Sequence, residues 1–280
     1  MIPLRIGMWS GPRNISTAMM RAWENRPDCA VSDEPLYAAY LAQTGFDHPG
    51  RDEVIAAGDT DWRRVADALL GPVPGGKPVW YQKHMAHHLL PGMDHDWIHG
   101  LHNVFLVRDP DEVVSSYLRS RATVVPADIG LLQQAELFDE LTRATGSAPT
   151  VIDSGDFLAD PGRYLRALCD LLGIEFTDRM LHWPAGPRDS DGVWAPHWYG
   201  TVWKSTGFEP PSARPAPVLD DAARAVADAC RPAYEKLREA RLLPFVAEGA
   251  TKLADHIPER FRPSVPMLPP LPAARSIDLL

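Results

Sequence analysis

The sequence predicts an α/β protein with a central parallel sheet flanked by helices. Three observations carry that prediction. Short apolar runs alternate with longer segments of helical periodicity. One run, Asn103–Val107, is continuously apolar, as a strand buried on both faces would be. The first strand also passes through a tight loop straight into a helix.

In chain order, Leu4–Ser10 reads as a strand, Ile15–Asn25 as a helix and Cys29–Ser32 as a second strand. Thr60-Asp61 is a plausible cap for a helix over Trp62–Leu70. Three prolines and two glycines make 72–78 a loop, and Val79–Lys83 is the next strand. Asp111–Arg121 reads as a helix with Pro110 at its start. Ile129–Ala144 follows as one helix, Thr150–Ile152 as a strand, and Pro161–Leu172 as a helix stopped by Gly173. Residues 184–217 break the rhythm, and Asp220–Arg241 is a strong helix.

Composition sets limits. The chain has 280 residues, a net charge of −9, 45% hydrophobic and 23% charged residues, ordinary for a globular protein. Acidity argues against a broad nucleic-acid or anionic-membrane surface, although not against a local anion pocket. No apolar run reaches the ~18 residues of a membrane helix. The amino terminus is a poor signal peptide, so a cytoplasmic setting is expected. Cys29, Cys169 and Cys230 form no zinc pattern and read as buried thiols. Of 28 prolines, six fall between Pro258 and Pro272, which sets a proline-rich arm (258–280) apart from a main domain (1–257). That arm could wrap its own domain or a neighbouring subunit, so a homodimer is one expectation.

Ser10-Gly11-Pro12-Arg13-Asn14-Ile15-Ser16-Thr17 joins the first strand to its helix. Unpaired N–H groups and the helix dipole at such a junction favour an anion. Arg13 adds a fixed charge; Ser16 and Thr17 add hydroxyl donors, or merely cap the helix. The loop lacks the lysine and second glycine of the NTPase pattern. A second segment, Val107-Arg108-Asp109-Pro110, ends a buried strand, and Ser116 follows Arg108 by eight residues. Arg108 would stand where open α/β sheets bind ligands.

Together these segments resemble the sulfotransferases. Pro12 to Thr17 resembles their 5′-phosphosulfate loop, and Val107 to Pro110 with Ser116 resembles their 3′-phosphate motif. The resemblance covers roughly residues 4–175 and implies a three-layer, P-loop NTPase-like fold. It also implies 3′-phosphoadenosine-5′-phosphosulfate (PAPS) as co-substrate, bound by Pro12, Arg13, Asn14, Ser16, Thr17, Arg108 and Ser116, with no metal. Asn14 and Ile15 stand where the family usually has serine and glycine. Isoleucine resists positive φ, so the loop must be tighter there or already helical.

Sulfuryl transfer needs positioning, charge stabilisation at the leaving phosphate, assigned to Arg13, and a base for the acceptor's proton. Two base candidates stand at strand ends. Glu34, in Glu34-Pro35-Leu36-Tyr37, resembles a segment of Golgi-type carbohydrate sulfotransferases, or is only a helix-initiating turn. His84, in Gln82-Lys83-His84, resembles the histidine stretch of cytosolic sulfotransferases. A one-residue register shift would align Lys83 with that family's lysine and misplace the histidine. His84, His87 and His88 read as a polar loop rather than a metal cluster. Trp183, Trp194, Trp198 and Trp203 crowd the late segment, which ends in Lys204-Ser205-Thr206. The resemblance implies that Lys204, Ser205 and Thr206 form a lid over the cofactor, and the aromatic faces suit a small-molecule acceptor, or the segment only packs as a long loop against the core. The expected activity is sulfuryl transfer from PAPS to a hydroxyl or amine. The alternatives are a P-loop kinase, in which Asp109 would hold magnesium, and a non-catalytic nucleotide-binding module.

Overall fold

The computed structural model describes residues 2–210 and 217–244. Five strands form one parallel sheet in the order β2-β3-β1-β4-β5. They are β1 (Leu4–Ser10), β2 (Cys29–Asp33), β3 (Val79–Met85), β4 (His102–Val107) and β5 (Thr150–Asp153). Helix α1 (Ser16–Glu24) links β1 to β2. Between β2 and β3 lie α2 (Tyr37–Thr44), α3 (Arg51–Ala57) and α4 (Trp62–Leu70). Between β4 and β5 lie α5 (Pro110–Leu118), α6 (Pro126–Ile129) and α7 (Leu131–Thr145). Then come α8 (Ser154–Ala159), α9 (Pro161–Leu171), α10 (Ala195–Trp198) and α11 (Asp221–Glu239). This is the expected three-layer, P-loop-like architecture.

Strand alternation sorts the core into two layers. Trp9, Trp80, Phe105, Val107 and Val151 pack beneath α4, α5, α7 and α11. Met8, Tyr81, Val104, Leu106 and Ile152 pack on the other face beneath α1, α8 and α9. A third cluster joins Tyr37, Tyr40 and Leu41 of α2 to Trp194 and Tyr199. The three cysteines are buried and free.

The chain leaves β1 toward β2 on one side, and leaves β4 toward β5 on the other. The divergence opens a crevice at the carboxyl ends of β1 and β4, where such sheets bind ligands. Gly11 lies at its floor. A Cβ at Gly11 would come 2.1 Å from the Ile129 carbonyl oxygen, so only glycine fits this backbone-to-backbone approach.

The same approach explains a difference from the sequence reading. Ile129–Ala144 is not one helix: α6 ends at Ile129, Gly130 turns left-handed at φ 74°, and α7 begins at Leu131. The break brings Gly130 against Gly11. Strand β3 also runs past its expected end at Lys83, because His84 and Met85 still pair with Trp9 and Ser10. Helix α5 stops at Leu118 rather than Arg121. Helices α2 and α3, absent from the sequence reading, are short and framed by left-handed Gly45 and Gly50. The proposed arm at 258–280 lies outside the described residues.

Histidines are built into the core. His84 stacks on Trp9 with ring centroids 4.4 Å apart, and His88 stacks on Tyr37 at 4.9 Å. Burial pushes His84 and His87 down to about 3 and His48 down to about 4. His88 is also pushed well below its ordinary value, chiefly by burial. All four are neutral at pH 7.

Two expectations follow from this packing. Gly11→Ala must displace the loop or the α6–α7 junction, at a cost of about 1–3 kcal/mol, read as a lower urea midpoint. A wild-type midpoint would contradict the contact. The histidines bind protons more readily unfolded than folded between pH 6.5 and about 4. Their stabilising neutrality is therefore complete above pH 7 and lost as pH falls, by up to about 1.4 kcal/mol per pH unit for each. Urea midpoints at pH 7 and pH 5 check this; a flat profile would contradict it.

Candidate active site

At the end of β1, Pro12 and Arg13 make a turn, and Arg13 takes φ 57°, where glycine or asparagine is usual. The strained position is thus Arg13, not Ile15, whose φ is −88°. Asn14 explains how the loop dispenses with the family's usual residues. Its Nδ2 donates to the Leu106 carbonyl at 3.0 Å and its Oδ1 accepts from Ile15 N–H at 2.8 Å, stitching the loop to the end of β4. The Asn14 side chain is therefore a brace within the protein. Position Ile15 gives α1 no side-chain cap, leaving the first-turn N–H groups open. Ser16 is buried and Thr17 half-buried in that first turn.

The two anion motifs touch. Arg13 Nε donates to Ser116 Oγ at 3.0 Å, and Arg108 Nη1 donates to the Arg13 carbonyl at 2.7 Å. Burial, then Arg119 and Arg108, lower the Arg13 guanidinium from its ordinary value. Three cations therefore crowd one another beside an uncapped helix end, an arrangement that an anion relieves. Arg119 was not among the residues singled out in the sequence. Its place just past the end of α5, eleven residues from Arg108, gave no motif. Asp109 caps α5 through Asp111 N–H at 2.9 Å and pairs with Arg231 at 2.6 Å. The residue that a kinase reading would assign to magnesium is engaged structurally.

On the neighbouring strands β3 and β2 stands a second polar centre. Lys83 is buried at the end of β3, and its ammonium donates to Asp33 Oδ1 at 2.8 Å, Glu34 Oε1 at 2.6 Å and Tyr199 Oη at 2.7 Å. All three of its protons are used. Tyr199 Oη donates to Asp33 Oδ2 at 2.7 Å and accepts from Trp194 Nε1 at 3.2 Å. Gly192 N–H reaches Asp33 Oδ2 at 3.3 Å. Lys83 holds Glu34 by Oε1, the Tyr199 hydroxyl also lowers this carboxyl, and the side chain keeps 11% of its surface exposed. Glu34 is left-handed at φ 42°. Burial raises its carboxyl above the usual range against the pull of Lys83, and Asp33 adds to the rise. The Lys83 ammonium is held well above its usual value, because Asp33 and Glu34 outweigh its burial.

His84 lies elsewhere. It points to the sheet face opposite Lys83, buried between Trp9 and Trp97, with Nε2 3.3 Å from Gln82 Oε1. Lys204, Ser205 and Thr206 make no hydrogen bond to the anion loop among the described residues. Ser205 Oγ accepts from Trp183 Nε1 at 3.1 Å, the Thr206 carbonyl accepts from Trp183 N–H, and Lys204 is exposed. The 184–207 segment is anchored to α1 by the buried ion pair of Arg21 with Asp191, and Trp203 Nε1 donates to Asp191 at 2.9 Å. A tryptophan-rich stretch was legible as special, but its use to bring Tyr199 to Lys83 was not. Asp33 and Lys83 also escaped the residue choice. The signal was present in a lysine set within an otherwise buried strand.

A cavity of about 330 Å³ is lined by Tyr40, His48, His87, Tyr117, Arg121 and Asp128. His87 Nδ1 is close to Gly130, which in turn abuts Gly11. The cavity therefore adjoins the start of the anion loop. A larger one, about 500 Å³, lies at the amino end of the sheet beside Leu4 and Val79, away from the strand ends that carry these residues.

Comparison with known proteins fits this geometry. The family described as "Sulfotransferase domain" matches residues 4–241. Two Arabidopsis thaliana proteins named branched-chain-amino-acid aminotransferase-like protein 2 and 1 are 37% identical over 211 residues and 38% identical over 214. The matches cover 75% and 76% of this chain, which spans only 37% and 38% of those proteins. The crystal structure of a sulfotransferase from Alicyclobacillus acidocaldarius aligns with a TM-score of 0.50 at 14% identity, over 86% of this chain and 97% of that one. That likeness speaks for the fold. The sequence match over nearly all the described residues speaks for the family, and the chain belongs to the sulfotransferase domain family.

Proposed function

We propose that the protein moves a sulfuryl group from PAPS to a hydroxyl or amine of a small acceptor, with Glu34 as the general base. The observation that carries this reading is the direct joining of the two anion motifs. Arg108 holds the Arg13 carbonyl and Arg13 holds Ser116, across 95 and 103 residues of sequence. Crowded guanidinia and an uncapped α1 suit a polyanion that bears phosphates at both ends.

In this reading PAPS supplies the sulfuryl group and leaves as adenosine 3′,5′-bisphosphate. Arg13 and the first turn of α1, with Ser16 and Thr17, hold the 5′ side and oppose the charge that gathers on the leaving phosphate. Arg108 and Ser116 hold the 3′-phosphate. Glu34 accepts the acceptor's proton on its carboxylate. A carboxyl raised by burial is a better-matched base near neutral pH than an ordinary carboxylate. His84 is shut between tryptophans and pushed down to about 3, which leaves it neither reachable nor basic. The cavity beside Gly130 is the space we assign to the acceptor.

Calorimetry with adenosine 3′,5′-bisphosphate tests the anion site. Binding should survive EDTA, and Arg108→Ala or Arg13→Ala should weaken it by roughly 10–100-fold, the worth of a charge-assisted hydrogen bond. No binding, or binding indifferent to both substitutions, would overturn the reading. For the base, Glu34→Gln should cut transfer of labelled sulfuryl from PAPS into extract acceptors by at least about 100-fold. Bisphosphate affinity should stay within about twofold. Full activity in Glu34→Gln with loss in His84→Gln would move the base to His84.

A further inference from the structure

The segment 184–207 reaches the base through one hydroxyl. Tyr199 Oη accepts from Lys83 and from Trp194, and donates to Asp33. Its donor and both acceptor positions are filled. Asp33 is filled as well, by Lys83, Tyr199 and Gly192. Glu34 Oε1 is taken by Lys83, and the Tyr199 hydroxyl also bears on the Glu34 carboxyl and lowers it.

We propose that Tyr199 is a positioning residue for Glu34: its hydroxyl satisfies Asp33 and holds the Lys83 ammonium between the two carboxylates. This deepens the reading of Glu34 as base and rests on it. Without the hydroxyl, Asp33 loses a donor and Lys83 loses an acceptor. Less of the Asp33 charge is then compensated, and that charge bears on Glu34. The other groups facing this centre do not substitute. Tyr37 uses its hydroxyl on His48 Nδ1 at 2.8 Å. His88, stacked on Tyr37, is neutral from burial.

The position of Tyr199 depends on the segment that carries it. Trp194 and Ala195 pack against Tyr37 and Tyr40 of α2, the helix that begins just after Glu34. Asp191, locked to Arg21 of α1, anchors the start of the segment. A residue 165 positions from Glu34 thus reaches the base from a separate wall of the site.

The test is a carbon-13 titration of the Glu34 side-chain carboxyl in the full chain, assigned with Glu34→Gln. Tyr199→Phe should raise the Glu34 midpoint by about 0.5–1 pH unit, the size of one hydrogen bond. Trp203→Phe, which removes the indole bond to Asp191 but leaves the Tyr199 hydroxyl, should leave the midpoint in place. Should Tyr199→Phe not fold, Trp194→Phe withdraws only the indole donor from Tyr199 Oη and should give a smaller rise. An unmoved midpoint in the Tyr199 or Trp194 variant overturns the proposal, and so does an equal shift in Trp203→Phe. The titration needs neither PAPS nor acceptor. Its failure is therefore distinct from failure of the sulfotransferase reading, which bisphosphate calorimetry decides.

Discussion

A lysine ammonium stands out of water at the end of β3, and the arrangement around it follows from satisfying it. A buried cation with an unfilled donor costs several kcal/mol, and removing one partner of a buried pair typically costs about 3–5 kcal/mol. Lys83 meets that demand with three acceptors from separate parts of the chain: Asp33, Glu34 and Tyr199. Meeting it also fixes the local backbone. The β2–β3 register places Asp33 opposite Lys83, and the Glu34 N–H donates to the Lys83 carbonyl at 2.9 Å. The tryptophan-rich segment closes over this point because its tyrosine is the third acceptor.

Charge is divided along the sheet edge. Arg13, Arg108 and Arg119 gather beyond β1 and β4; Asp33, Glu34 and Lys83 gather beyond β2 and β3. The ends of β1 and β2 are two strand spacings apart, about 10 Å. A chain of net charge −9 thereby carries a cationic pocket without a basic surface. In the proposed reaction this division has a direction. Negative charge develops on the leaving phosphate at the cationic end, while the proton departs toward the carboxylate end. Fixed hydrogen bonds hold each end, and preorganised charge of this kind is where electrostatic catalysis gains most.

Local features of the site were legible in the sequence, and long-range ones were not. Arg13, Arg108 and Ser116 stood out as candidates because each sits at a fixed offset from a strand end. The alternation of strands and helices gave the sheet, because parallel strands must be buried on both faces. Asp33, Lys83 and Tyr199 have no such offset: Tyr199 meets Lys83 across 116 residues, and only the folded chain pairs them. His84 stands apart for a related reason. A histidine at a strand end resembles a base in sequence, but strand alternation turns it to the opposite face from its neighbour Lys83. Basic and hydroxyl residues after an aromatic run suggest a lid, and in the fold the Ser205 hydroxyl and the Thr206 carbonyl hold Trp183. Gly130 was hidden inside a helical pattern, because its contact is with Gly11 rather than with its own helix.

The backbone itself ties the two centres together. Among the described residues, the non-glycine positions with positive φ are Arg13 and Glu34. Each such conformation costs on the order of 1–3 kcal/mol and persists only where its surroundings over-determine it. Arg13 is over-determined by Arg108 on its carbonyl and Ser116 on its guanidinium. Glu34 is held by the Lys83 carbonyl on its N–H, the Lys83 ammonium on its carboxylate, and Tyr37 N–H on its own carbonyl. A glycine would relieve either strain, but it would remove the guanidinium at one place or the carboxylate at the other. Conformational ease and side-chain chemistry compete at these positions, and the fold keeps the side chain. That choice is made at the ends of β1 and β2, and at no other non-glycine residue described.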